Sequence, residues 1–107
     1  MASLSNYLRT NRKRLSLSQE EVGFLLGFQG ESKGSKVSRD EHDVREPSLR
    51  TALAYEAIYG KPVRELYAGL YEQVVRELVR RAKVLHHRMA GKPRPKLERV
   101  ITKLISQ

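Results

Sequence analysis

The chain has no cysteine, which excludes disulfides and thiolate metal sites. It has no apolar run of membrane length and no signal-peptide pattern at its start, so a soluble cytoplasmic protein with no membrane association is expected. Strand-like alternation is missing, which leaves helices as the regular structure the pattern supports. Acidic residues are scarce toward the C-terminal part. Residues 61–107 hold four Asp/Glu against twelve Lys/Arg, whereas residues 1–60 hold eight against nine. The formal charge of +9 over 107 residues is therefore unevenly spread. An excess of this kind favours polyanions through counterion release and is the footprint of a nucleic-acid-binding protein. A hydrophobic content of 39% allows one small core.

Groups for chemistry are also missing. His86 and His87 are adjacent, so they point in different directions on a helix, and His42 is far away in sequence. No metal-ligand spacing results. The acidic residues form no evident catalytic pair, and nothing resembles a nucleophile elbow. An enzyme is the weakest reading; no metal and no cofactor are expected.

What is present is helical punctuation. The pattern predicts helices over 5–15, 18–27, 35–42, 48–59, 62–89 and 94–105, an all-α chain. Ser18 is a good N-cap with Glu21 three residues on as its capping-box partner. Val22, Leu25 and Leu26 follow as an apolar face. The first helix is expected to turn Leu4, Leu8 and Leu15 inward. Gln29–Gly34 reads as a loop. A short helix carrying Lys36 and Arg39 comes next, closed by Asp43 and Pro47. Ser48 then caps a helix expected to bury Leu49, Leu53, Ala57, Tyr55 and Ile58. Gly60 fits the C′ position after it, and Pro62 the first turn of the next helix. Gly91-Lys92-Pro93-Arg94-Pro95 breaks the chain before the last helix.

Leu17-Ser18-Gln19-Glu20-Glu21-Val22, Leu25-Leu26-Gly27, Val37-Ser38-Arg39 with Glu41, Arg45-Glu46-Pro47-Ser48-Leu49, and Gly60 followed by Val63-Arg64-Glu65-Leu66-Tyr67 occur in one order and spacing. In this the chain resembles the Cro/phage-repressor, or XRE, type of helix-turn-helix DNA-binding protein over residues 4–70. The resemblance implies a compact five-helix domain in 4–70; residues 71–107 lie beyond it, and their charge and apolar spacing read as a basic amphipathic helical extension. It implies that Gln19 opens helix 2 on a phosphate, and that helix 3 is the recognition helix, with Ser35, Lys36 and Arg39 toward DNA and Val37 toward the core. It also implies that Arg12 and Glu41 pair between helix 1 and the end of helix 3. The sequence departs from the family pattern in a longer Phe28–Gly34 connection and in Gly34 at a base-reading position. Gly23 stands in place of a small alanine, Asp40 in place of an apolar residue and Asp43 in place of glycine.

Residue chemistry adds to this. Lys36 and Arg39 share a helix face, and an arginine suits bidentate contact with guanine. Lys33 and Arg45 flank the helix, where loops meet the phosphate backbone. Ser18 and Gln19 sit at a helix N-terminus, where free N–H groups favour a phosphate; simple capping is the plainer role. In the extension, Tyr71, Val75, Leu78, Ala82, Leu85 and Met89 are spaced 4, 3, 4, 3, 4, a heptad-like seam. Leu97, Val100, Ile101, Leu104 and Ile105 repeat the idea. Two readings stay open for this seam: packing within the chain, or a homodimer interface.

The leading expectation is a transcriptional regulator, a repressor, that binds double-stranded DNA as a homodimer. The source implied is bacterial, phage or mobile-element. The alternative is an antitoxin-like interaction module that neutralises a protein partner.

Overall fold

The computed structural model describes residues 5–107, and among these it is helical throughout, with no strand. The helices are α1 (Leu8–Arg14), α2 (Gln19–Leu25), α3 (Lys33–Glu41), α4 (Leu49–Tyr59), α5 (Val63–Leu66), α6 (Ala68–Arg88) and α7 (Pro95–Ile105). Leu4, expected to face inward, lies outside the described residues. The chain divides into two compact units, one ending at Leu70 and the other running from Tyr71 to Gln107. No helix among the described residues is long and apolar enough to cross a membrane.

Local chemistry accounts for several helix ends. The Ser18 hydroxyl accepts from the Glu21 N–H at 3.0 Å, and the Glu21 carboxylate accepts from the Ser18 N–H at 2.8 Å. These bonds hold the Glu21 carboxyl below its ordinary range. Ser48 caps α4 in the same way through the Thr51 N–H, at 3.1 Å. Gly60 ends α4 at φ +67°, a left-handed conformation that costs glycine little. Arg14 donates to the Tyr59 carbonyl at 2.9 Å, satisfying one of the orphan acceptors at that end.

The first unit packs around Leu8, Val22, Val37, Ala52, Tyr55, Tyr59, Leu66 and Tyr67. Three of these are tyrosines in one cluster: Tyr55 stacks on Tyr59 at 5.7 Å and meets Tyr67 edge-on at 6.4 Å. This cluster corrects part of the expected face of α4: Tyr55 is buried and Ile58 packs against the core as expected, but the leucine stripe is not inside. Leu49 is 75% exposed, and Leu53 and Ala57 are exposed as well, while Ala52, Tyr55 and Tyr59 are buried. Both sets have helical spacing, so periodicity could not choose between them. Burying two large rings removes more apolar surface from water than burying the leucine stripe would. Leu15 and Leu25 are likewise exposed rather than inward. Leu15 lies just past the end of α1, and Leu17 and Leu26 take the positions against the core.

The expected continuous helix over 62–89 is broken at Tyr67, which has φ −112° and ψ 48°. Two backbone groups that a continuous helix would use are engaged elsewhere. The Leu66 carbonyl accepts from the Tyr7 N–H at 2.7 Å, and the Gly69 N–H donates to the Ser5 carbonyl at 2.8 Å. A Cβ on Gly69 would lie 2.7 Å from the Ser5 Cα, so glycine permits that approach. The second unit buries Ala82 and Ile101.

Candidate nucleic-acid interface

The candidate interface is built on α3, which begins at Lys33, two residues before the expected start. Its opening turn lies against α2. Gly23 faces the Lys33 backbone, and Gly34 faces the backbone N of Glu20. These close approaches set the path of a segment whose glycine and serine content reads as loop.

The inner face of α3 is held by three side-chain systems. Val37 is fully buried in the core. Arg12 binds Glu41 in a fork, Nε to Oε2 at 2.6 Å and Nη2 to Oε1 at 3.2 Å. The Arg12 Nη1 also donates to the Leu17 carbonyl at 3.1 Å, and the Gln19 amide donates to Glu41 Oε1 at 3.0 Å. One carboxylate thus ties α1, α2 and α3 together. The bonds to Glu41 raise the Arg12 guanidinium above its ordinary value, against the opposing effect of burial.

Asp40 and Asn6 complete the anchoring, and sequence reasoning assigned neither a role. Asp40 is buried and accepts from the Tyr55 hydroxyl at 2.8 Å. Burial pushes its carboxyl up, while the Tyr55 hydrogen bond and the nearby Arg45 and Arg39 pull it back. Burial, with Asp40 adjacent, pushes the Tyr55 phenol up as well. The Asn6 amide donates to the Asp40 carbonyl at 3.1 Å and to Asp43 Oδ1 at 2.7 Å, and its carbonyl accepts from the Leu8 N–H at 3.1 Å. One side chain therefore closes the end of α3 and opens α1. Ser5 donates to the other oxygen of Asp43. Asp43 itself adopts φ +56°, a left-handed position that aspartate tolerates better than most residues. The signal available in the sequence was Asp40 at an apolar position, which calls for a buried partner.

The outer face of α3 presents Ser35 and Arg39, four residues apart and both exposed. His42, three residues further, continues this face and was not singled out from the sequence. Its Nδ1–H donates to the Ser38 carbonyl at 2.7 Å, which leaves Nε2 as an acceptor in the neutral ring. Lys36 is half-buried at the flank, its Nζ 5.2 Å from the Phe28 ring centre. Lys33 is a helix residue, not a loop residue, with Nζ 5.8 Å from the Phe24 ring centre. Cation–π contact of this kind holds both ammonium groups near aromatic faces. Ser18 and Arg45 are exposed, and Gln19 is half-buried with its amide committed to Glu41.

The remaining sequence-predicted residues belong to the second unit. Along the seam, Tyr71, Leu78 and Leu85 are exposed, Val75 and Met89 half-buried, and Ala82 buried. Among the described residues no group of three or more His, Cys, Asp or Glu is placed to hold a metal ion. An open groove of about 370 Å³ runs beside α2, lined by Leu17, Glu20, Glu21, Phe24, Leu25 and Lys33. Comparison with protein-family models, curated proteins and solved structures yields no match.

Proposed function

We propose that the chain is a sequence-specific DNA-binding transcriptional regulator, a repressor, acting as a homodimer with α3 in the major groove. The observation that carries this reading is the asymmetry of α3. Its inner face is fixed by Val37, Asp40 and the Arg12–Glu41–Gln19 group, while Ser35 and Arg39 stand free on the outer face. A short helix held rigidly and showing polar side chains outward is what reading base edges requires. The resemblance to the Cro/XRE type and the excess of positive charge support the same reading.

Selection of bound sequences from random duplex DNA at fixed salt is the test. A consensus should emerge, and Arg39→Ala should cost about 1–3 kcal/mol of specific binding while relaxing one base position. An unchanged consensus in Arg39→Ala would remove α3 from the role of reader.

The dimer rests on Tyr71, Leu78 and Leu85, exposed apolar side chains at seven-residue spacing on α6. Uncovered apolar surface of this kind is relieved by a second copy. Light scattering should give twice the chain mass at micromolar concentration for the parent and a single chain mass for Leu78→Asp with Leu85→Asp. A folded double variant of unchanged mass would place the interface elsewhere.

The groove beside α2 supports the alternative, an antitoxin-like module that binds a partner protein. Phe24 is 70% exposed there, and Leu25 adds to the apolar surface. A stable one-to-one complex with a second protein from the native host, lost in Phe24→Glu, would favour this reading.

A further inference from the structure

The seam of α6 uses only one side of that helix. On the other side Arg76, Arg80 and Lys83 recur at spacings of four and three, so they form one row, and His87 extends it. The row spans about 10 Å from Arg76 to Lys83 at the rise of an α-helix. α7 repeats the arrangement, with Lys96, Arg99 and Lys103 on one face and Leu97, Ile101 and Leu104 on another. All six basic side chains of the two rows are exposed. Among the described residues the Arg12–Glu41 pair is the only salt bridge, so none of the six is neutralised by a carboxylate. Glu72 stands one turn before Arg76 without pairing to it, and Glu77 accepts from Gln73 instead, at 3.5 Å.

The charge is concentrated where the rows are. Residues 71–107 hold ten Lys/Arg against three Asp/Glu, whereas residues 1–70 hold eleven against nine. Rows of unpaired cations ordered on helices complement a regular line of anions, and a nucleic-acid strand carries a phosphate roughly every 3.4 Å along its axis. An anionic lipid surface is the other regular polyanion, but binding there requires the apolar face of the helix to be free. On α7 the middle of that face is occupied, with Ile101 buried and Leu97 and Leu104 half-buried, and only Val100 and Ile105 stay exposed at its edges. On α6 the exposed Tyr71, Leu78 and Leu85 belong to the self-association proposed above.

We infer that the C-terminal unit is a second DNA contact, independent of sequence, in which Arg76, Arg80 and Lys83 of α6 and Lys96, Arg99 and Lys103 of α7 bind the phosphate backbone of duplex DNA. The choice of duplex DNA rests on the function proposed above; the rows themselves do not. Base reading and non-specific affinity then reside in different units. The α6 row lies away from the Tyr71, Leu78 and Leu85 side, so self-association through that side leaves the row free.

The experiment uses the full chain and two variants, Arg76→Gln with Arg80→Gln and Lys83→Gln, and Lys96→Gln with Arg99→Gln and Lys103→Gln. Glutamine keeps helix propensity and removes only charge. Affinity is measured across salt for random duplexes and for the selected duplex, with Arg39→Ala as a third variant. Each triple variant should weaken binding to both duplexes by the same factor. Each should also reduce the slope of log affinity against log salt by about 2 to 3, at roughly 0.9 per lost phosphate contact. The ratio of selected to random affinity should not move. Unchanged slopes in both triple variants overturn the inference and leave the reading of α3 intact if Arg39→Ala still relaxes the consensus. Reduced slopes with no consensus from any duplex pool uphold the inference and reject the reading of α3. Binding to phosphatidylserine vesicles that is lost in the triple variants while duplex affinity stays unchanged overturns the inference in favour of a lipid surface.

Discussion

Arg12→Ala should lower the stability of the folded chain by about 3–5 kcal/mol, the cost of leaving one member of a buried ion pair uncompensated. The Glu41 side chain is only 1% exposed, and Arg12 supplies two of the three hydrogen bonds it accepts. Without Arg12 the carboxylate keeps the Gln19 amide as its donor but loses its counter-charge. Glu41→Gln should cost less, because Arg12 retains the Leu17 carbonyl and keeps 11% of its side-chain surface in water. The double substitution should recover much of the loss. Urea denaturation of the parent, both single variants and the double variant closes the cycle, and additive effects would show that the pair is not coupled. Salt should change the coupling little, because buried pairs are screened less than exposed ones. The sign of the pH dependence also follows. A guanidinium whose folded value is raised contributes its stability fully below its unfolded value, itself far above neutral pH, and that stability is lost only as pH rises through the folded value. Between pH 5 and pH 9 Arg12 therefore adds no slope, and the loss in Arg12→Ala should be flat across that range as far as this residue is concerned.

The same pair marks how far the sequence could be read. Ser18 with Glu21, Ser48, and Gly60 act within a few residues of themselves, so local chemistry identified the ends of α2 and α4. Arg12 and Glu41 are distant in sequence, and neither composition nor periodicity brings them together; a family resemblance named them. The elements that escaped reading are those decided by tertiary contact. α4 carries two apolar rows of equal periodicity, and the tyrosine row is inside because three rings and Asp40 complete one cluster. The break at Tyr67 follows from hydrogen bonds to Ser5 and Tyr7, more than fifty residues away in sequence. Lys33 and Gly34 read as loop by propensity, yet their approach to α2 places them in α3. The outer face of α3 was legible in Ser35 and Arg39. His42 was not, because the helix was expected to end there.

The contact between α2 and α3 gives the second large expected effect, at Gly23. A Cβ there would sit 2.7 Å from both the Cβ and the carbonyl oxygen of Lys33 and 2.8 Å from its carbonyl carbon. Gly23→Ala gains about 1 kcal/mol of helix propensity, while overpacking of this kind costs about 1–3 kcal/mol. The clash should win, because two of the three atoms met are backbone and cannot rotate away; relief requires α3 itself to shift. Gly23→Val should be worse, since it adds more volume at the same place and gains less propensity. Gly34, in the first turn of α3, is the control. A Cβ there would meet Glu20 N and Oε2 at 3.4 Å and Gln19 Cβ at 3.5 Å, close to ordinary van der Waals contact. Gly34→Ala should therefore keep most of its propensity gain, about 1 kcal/mol. Opposite signs for two Gly→Ala changes across one helix pair separate packing from propensity, and urea denaturation reads both. The displacement should also reach the interface. Arg39 lies six residues beyond Lys33, about 9 Å along the helix, so a shifted α3 should lower the preference for the selected duplex in Gly23→Ala while affinity for random duplexes holds. A Gly23→Ala chain more stable than the parent would show that the two helices can part at little cost, and that α3 is positioned by Val37, the Arg12–Glu41 pair and the Asp40 contacts rather than by its approach to α2.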